Sequence, residues 1–199
     1  MDSKVLFKLG YGLYVVTAKT DKDNGCILNT VMQVTDKPNR ILVGVNKGNY
    51  THDMILESRA LNVSILSTVA PFSVYEHFGY QSGRNTDKFA GYGAAARSAN
   101  GLYYITEGTN GYLSGSVENV MDCGTHSVFL VDVEAGEVLD DAPSVTYQYY
   151  QDFVKPKPET KQKKGFVCKI CGFVYEKEEL PADYICPVCR HGAEAFEPL

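Results

Sequence analysis

Short runs rich in β-branched and aromatic residues recur through the first 154 residues, at 12–17, 41–45, 61–66, 102–106, 111–117 and 127–133. Such side chains suit the half-buried, pleated surface of a strand. Clusters of Asp, Asn, Gly and Pro at 21–25, 36–39 and 107–111 separate the runs and supply the backbone angles that turns need. Helical pieces are few. Residues 51–58 form one, with Asn49 or Thr51 as N-cap, and 71–78 open another with Pro71 in its first turn. Many short strands punctuated in this way predict a mostly-β barrel or sandwich rather than alternating βαβ units.

The pattern breaks at residue 155. Residues 155–164 hold five Lys, two Pro and one Glu and no core-forming side chain, which reads as a solvated linker. The chain therefore divides into a domain at 1–154, a linker at 155–164 and a small domain at 165–199. Their net charges are −6, +4 and −3, a basic tether between two acidic modules.

The small domain carries Cys168, Cys171, Cys186 and Cys189, two Cys-x-x-Cys pairs separated by 14 residues. Each pair can curl two thiolates around one side of a metal, and four sulfurs in a tetrahedron suit zinc or a one-iron centre. So short a segment needs such a staple, since chains below roughly 40 residues seldom hold together unaided. Spacing alone leaves zinc and iron both open. Gly172 fits a position after the first pair where φ is positive, whereas Arg190 stands at the matching place after the second. His191 reads as a surface residue.

Composition narrows the remainder. The 199 residues carry a net charge of −5 and a pI near 5.4, which argues against a general nucleic-acid or membrane-surface role. No apolar run approaches the roughly 18 residues of a membrane span and no leader pattern is present, so the cytoplasm is the expected compartment. Cys26 and Cys123 are then expected as free, small core residues. Gly91, Gly93 and Ala96 match a Gly-x-Gly-x-x-Ala dinucleotide fingerprint, but no strand precedes them and no βαβ unit surrounds them, so a loop of small residues explains them better. Residues 25–35 set Asn29, Thr30, Gln33 and Thr35 within an apolar strand pattern. Residues 46–54 then put Lys47 and hydroxyls at a helix start, which suits a phosphate site or, equally, an ordinary capped helix.

Two resemblances give these stretches meaning. Phe166, the run Cys-Lys-Ile-Cys-Gly-Phe-Val-Tyr at 168–175, Leu-Pro-Ala-Asp-Tyr at 180–184, Cys-Pro-Val-Cys at 186–189 and Phe196 resemble a rubredoxin of the shortened form that ends rubrerythrins. That likeness implies iron held by Cys168, Cys171, Cys186 and Cys189, with zinc the lesser alternative. Residues 25–35, 46–54, 78–89 and 123–129 resemble the flavin reductase-like family, whose members bind FMN on a split β-barrel. This implies FMN contacts from Asn29, Thr30, Val31, Met32, Gln33 and Thr35 along the ring and ribityl chain. It also implies a phosphate clasp of Lys47, Asn49, Tyr50 and Thr51, with His126 near the nicotinamide or flavin.

A homodimer is expected from the same likeness. The whole arrangement, with Tyr-Gln-Tyr-Tyr at 147–150 running into a Lys-rich linker and a rubredoxin tail, looks like the high-molecular-weight rubredoxins of anaerobic bacteria. The likeness implies electron flow from NADH or NADPH through FMN and an iron–thiolate centre to a flavodiiron oxygen or nitric oxide reductase. Two alternatives stand beside it: a plain flavin reductase with an accessory tail, and a non-enzymatic flavin-binding protein with a zinc ribbon.

Overall fold

The strand-rich pattern folds as one seven-stranded antiparallel sheet. In this computed structural model, residues 2–156, 165–170, 172–177, 179–188 and 190–199 are described. The strands are β1 (Tyr14–Lys19), β2 (Asp23–Leu28), β3 (Val31–Asp36), β4 (Asn39–Asn46), β5 (Ala60–Leu66), β6 (Ala95–Arg97), β7 (Tyr103–Ile105), β8 (Thr109–Asp122) and β9 (His126–Val138). The large sheet runs β2-β1-β5-β8-β9-β4-β3, and β6 pairs with β7 apart from it. β2 and β3 are consecutive in the chain yet lie at opposite ends of this order. The described residues show no pairing between them that would close the sheet.

The stretch 25–35, which looks like one strand in the sequence, is two strands bent at Asn29 and Thr30. The bend is held where Gly44 N donates to Thr30 O at 2.9 Å. Gly44 has to lack a Cβ here, because one would sit about 2.9 Å from Thr30 Cγ2. Helix α1 (Tyr50–Ser58) begins after Asn49 and packs Met54 and Ile55 into a core with Val16, Val43, Val63 and Phe129. Helix α2 (Phe72–Gly79) buries Val74, Tyr75 and Phe78 in a second core with Leu13, Val15, Ile105 and Tyr150. Tyr150 comes from α3 (Tyr147–Tyr149) and the π-helical turn Tyr150–Val154, elements with no forecast in the sequence pattern. Of the two cysteines expected in the core, Cys26 is buried but Cys123 is exposed, because it sits in the tight β8–β9 turn beside Gly124.

The chain splits into two units, Met1–Lys155 and Pro156–Leu199. The expected linker lies, from residue 157 to 164, outside the described residues. The second unit has a three-stranded sheet ordered β11-β10-β12, built from β10 (Phe166–Cys168), β11 (Val174–Tyr175) and β12 (Phe196–Pro198). No helix among the described residues is long and apolar enough to cross a membrane.

Candidate functional site

A groove crosses one face of the first unit. Its widest part, about 890 Å³, is lined by Asn29, Thr30 and His126 together with Leu6, Tyr11, Tyr147, Gln151 and Lys155. Asn29, Thr30, His126 and Tyr147 also line the next chamber, about 230 Å³, which adds Gly44, Asn46 and Asn49. Ile27 and Asn49 lead in turn to a third, about 240 Å³, formed by Asn24, Cys26, Tyr50, Thr51, Ser82, Gly83 and Lys88. The groove thus joins the β2–β3 bend and the start of β9 to the N-terminus of α1.

The α1 end is built for an anion. Asn49 is the N-cap residue, but its side chain makes no capping bond and instead donates to Cys26 Sγ at 3.6 Å. His52 N donates to Asn49 O at 3.0 Å, and the first amides of the helix receive no side-chain cap, so the positive end of its dipole lies at a chamber lined by Asn49, Tyr50 and Thr51. Lys88 is only 2% exposed, and its ammonium donates to Gly25 O at 2.9 Å and Phe78 O at 3.0 Å. None of the ion pairs among the described residues includes it. Burial holds its pKa below the ordinary lysine value, as expected for a cation facing carbonyls rather than a carboxylate. Asn24 donates to Thr51 Oγ1 at 3.0 Å, and its buried Oδ1 has no partner. Gly83 presses on that amide so closely that any Cβ would collide with it. A buried uncompensated cation, an orphaned amide oxygen and an uncapped helix start fit a phosphate group.

The expected contacts divide along this groove. Asn29, Thr30, Asn49, Tyr50, Thr51 and His126 all line it. Val31, Met32, Gln33 and Thr35 line none of these chambers; they lie on β3, an edge strand on which Met32 is 58% exposed. Lys47 points elsewhere, with its Nζ 2.7 Å from Asp122 Oδ1 on β8. Sequence reasoning passed over Lys88, Asn24, Ser82 and Gly83. The run 78–89 resembles the family, but no local signal in it says that its lysine turns inward. His126 is exposed, with Nδ1 2.9 Å from Thr125 Oγ1.

In the second unit, Cys168 and Cys186 are 1% and 0% exposed and form its core with Ala195 and Phe196. The two turns that follow them are near-copies. Cys168 N donates to Phe173 O and Gly172 N to Cys168 O; Cys186 N donates to His191 O and Arg190 N to Cys186 O, all between 2.8 and 3.0 Å. Such turns aim backbone amides at the thiolate side and suit a metal. Cys171 and Cys189 lie outside the described residues. Among the described residues no cluster of three His, Cys, Asp or Glu side chains offers a metal site. The matching positions Gly172 and Arg190 have φ of 76° and 64°. Arg190 adopts the left-handed form that glycine takes freely, at a cost of about 1 kcal/mol. Arg190→Gly is therefore expected to stabilise the metal-loaded second unit by about 1 kcal/mol, read as slower metal loss to a chelator. Faster loss would show that the arginine side chain contributes more than its backbone costs.

A family model described as flavin reductase like domain matches residues 6–156, and one described as rubrerythrin, rubredoxin-like domain matches 166–197. The high molecular weight rubredoxin of Moorella thermoacetica is 36% identical over 230 aligned positions, covering 100% of both chains. The ferric-chelate reductase (NAD(P)H) of Archaeoglobus fulgidus is 35% identical over 158, covering 79% of this chain and 93% of the relative. Among solved structures, an NADH:FAD oxidoreductase from Streptomyces globisporus has the same fold, with a TM-score of 0.65 at 20% identity, over 72% of this chain and 84% of that one. This chain belongs to the flavin reductase family, in the two-domain form that carries a rubredoxin-like domain at its C-terminal end as high molecular weight rubredoxin does, and it is an electron-transfer oxidoreductase.

Proposed function

We propose that the chain takes electrons from NADH or NADPH onto FMN in the groove, passes them to an iron held by Cys168, Cys171, Cys186 and Cys189, and delivers them to a soluble flavodiiron-type acceptor in the cytoplasm. The observation that carries this reading is the groove itself, with an uncompensated buried ammonium at one end and His126 at the other. When bound, FMN supplies two-electron exchange with the nicotinamide and one-electron exchange onward, and an iron–thiolate centre carries single electrons.

The chain's own residues bind and orient. The α1 amides, Thr51, Ser82 and Lys88 hold the phosphate; Asn29, Thr30 and Asn46 line the ring chamber; Tyr147 and His126 flank the space where the nicotinamide arrives. The large sheet is read as the family's split barrel. The exposed β3 face, with Met32, Val34 and neighbouring Gln33 and Thr35, is assigned to a homodimer contact, through which those residues would reach the partner's cofactor. The relative from Archaeoglobus, a ferric-chelate reductase that matches 79% of this chain over 93% of its own length, favours one second reading, in which the first unit reduces small acceptors directly.

A chain ending at Lys155 separates the two readings. It is expected to oxidise the nicotinamide with artificial dyes and to reduce a flavodiiron acceptor at a small fraction of the whole chain's rate. Stopped-flow absorbance of flavin and ferric thiolate follows both steps. Equal rates for the truncated and whole chains would remove the second unit from the electron path.

A further inference from the structure

One string of side chains, buried at His52 and Ser127 and exposed at Asp53 and Arg84, has no part in the proposed function. His52, on the first turn of α1, is 4% exposed. Its Nε2 lies 2.9 Å from Ser127 Oγ on β9, and its Nδ1 lies 3.2 Å from Asp53 Oδ1. The other oxygen of Asp53 accepts from Arg84 Nη2 at 2.6 Å. Arg84 also lies over the ring of Tyr50, 5.0 Å from its centroid, so it stands at the rim of the α1 chamber next to Gly83. Ser127 follows His126 directly, and the two residues pair with Val45 and Asn46 at the mouth of the ring chamber.

We infer that His52 is a positioning residue that joins the two ends of the groove, bolting the start of β9 beneath His126 to the α1 turn and, through Asp53, to the Arg84 loop. The inference rests on the FMN reading of the groove. The chemistry of the string fixes its direction. The Arg84 guanidinium holds Asp53 below the ordinary carboxylate range, so Asp53 is ionised and only accepts. Nδ1 therefore carries a proton toward Asp53, and in the neutral form of the ring Nε2 accepts from the Ser127 hydroxyl. The ring also meets Phe129 edge-on at 5.6 Å, which leaves it little freedom to turn. Ser127 is itself 4% exposed, so water offers no substitute partner on that side. A small shift of the β9 start moves His126 relative to the bound ring, and misplacement by about 1 Å far from the chemistry can cost about a hundredfold in rate.

The test uses the full chain. In the FMN-free protein, nitrogen NMR of the imidazoles is expected to show His52 protonated on Nδ1. Asp53→Asn should reverse this, because the amide oxygen serves Arg84 and its NH₂ then faces Nδ1, driving the proton to Nε2. His52→Phe keeps the ring volume and cuts both bonds. It is expected to slow flavin reduction by the nicotinamide about tenfold or more at little change in KM, and to weaken FMN binding, read by flavin fluorescence. His52→Gln, whose carboxamide reaches Ser127, should recover most of both.

An Nε2-protonated ring in the parent, or His52→Phe matching the parent in reduction and FMN affinity, overturns the inference. Should His52→Phe fail to fold, the reversal in Asp53→Asn, accompanied by slower reduction, carries the decision, and its absence overturns the inference. A parent chain that takes up no FMN sinks the reading of the groove instead, and the NMR result then stands apart from it.

Discussion

Cys186→Ser is expected to leave the second unit without iron and without a fold, while the flavin domain keeps its cofactor. Among the described residues the buried core of this unit is Cys168, Cys186, Ala195 and Phe196, with Phe166, Phe173, Tyr175, Leu180 and Tyr184 packed around them. Two of these, Cys168 and Cys186, are the sulfur ligands of the proposed iron site, and on that reading the core and the metal site are the same object. The remaining aromatic shell is too small to offset the conformational entropy of a segment this short. In small metal-stapled modules the binding free energy is in effect the folding free energy, about 10–16 kcal/mol for structural zinc in comparable peptides. Serine supplies a weaker, harder ligand and a hydroxyl buried where the thiolate was. The first unit buries its own two cores without any residue beyond 154. The expected spectrum therefore loses ferric-thiolate absorption and keeps the flavin bands, with iron well below one per chain and flavin unchanged. Iron retained at one per chain would mean that Cys186 is not a ligand. Flavin lost together with iron would mean that the two units do not fold independently.

The knuckles were legible in the sequence because their information is local. Two thiolates three positions apart need only a short turn, and the backbone bonds of Cys168 and Cys186 follow from that spacing. Strand content was legible for the same reason, since residues 61–66 and 127–133 alternate or cluster apolar side chains whatever lies next to them. What the pattern did not carry was the bend at Asn29 and Thr30. An apolar run with polar residues at 29, 30, 33 and 35 is compatible with one edge strand or two strands, and only the pairing of β3 with β4 decides. Lengths were underestimated where pairing extends a strand past its apolar stretch. β8 and β9 run to Asp122 and Val138 because each has a partner along nearly its whole length.

The site was legible at its fixed points and obscure between them. Asn49 and Thr51 could be named because a helix start is a local feature. Lys47 stands one turn before the same helix in the sequence, yet its side chain leaves toward Asp122. The lysine that enters the chamber lies 41 positions later, in a loop whose direction is set by α2 and β2. Ala-rich and Gly-rich residues at 91–96 gave a fingerprint without its fold: they lead into the short strand β6, paired only with β7, and no nucleotide-binding crossover surrounds them. Charge type and sequence distance to a motif say little about which side chain turns inward; burial decides that.

Lys88→Met is accordingly expected to cost far more FMN affinity than Lys47→Ala. The Lys47 pair with Asp122 sits at 36% and 72% side-chain exposure, and the described structure gives it no part in the groove. Exposed pairs contribute about 0–1 kcal/mol, so Lys47→Ala should change FMN affinity by a few-fold at most. Lys88 is buried, already pays for its desolvation, and faces the chamber that the phosphate reading fills. Removing one member of a buried, hydrogen-bonded charge pair costs about 2–5 kcal/mol, about thirtyfold or more in Kd. Methionine keeps the length of the stem and removes the charge. It leaves the carbonyls of Gly25 and Phe78 without their donor, and each orphaned carbonyl costs about 1–3 kcal/mol of stability. Thermal midpoints of the FMN-free proteins must therefore be compared first. Lys88→Arg, which preserves charge and donors, separates the two effects, since it should retain more affinity than Lys88→Met at a similar midpoint. Titration of flavin fluorescence gives Kd for each variant, and riboflavin serves as the control ligand because it lacks the phosphate. The parent should prefer FMN to riboflavin strongly, and Lys88→Met should lose most of that preference while Lys47→Ala keeps it. A Lys47→Ala variant that loses the preference, beside a Lys88→Met variant that keeps it, would move the phosphate out of the α1 chamber and toward the β8–β9 turn.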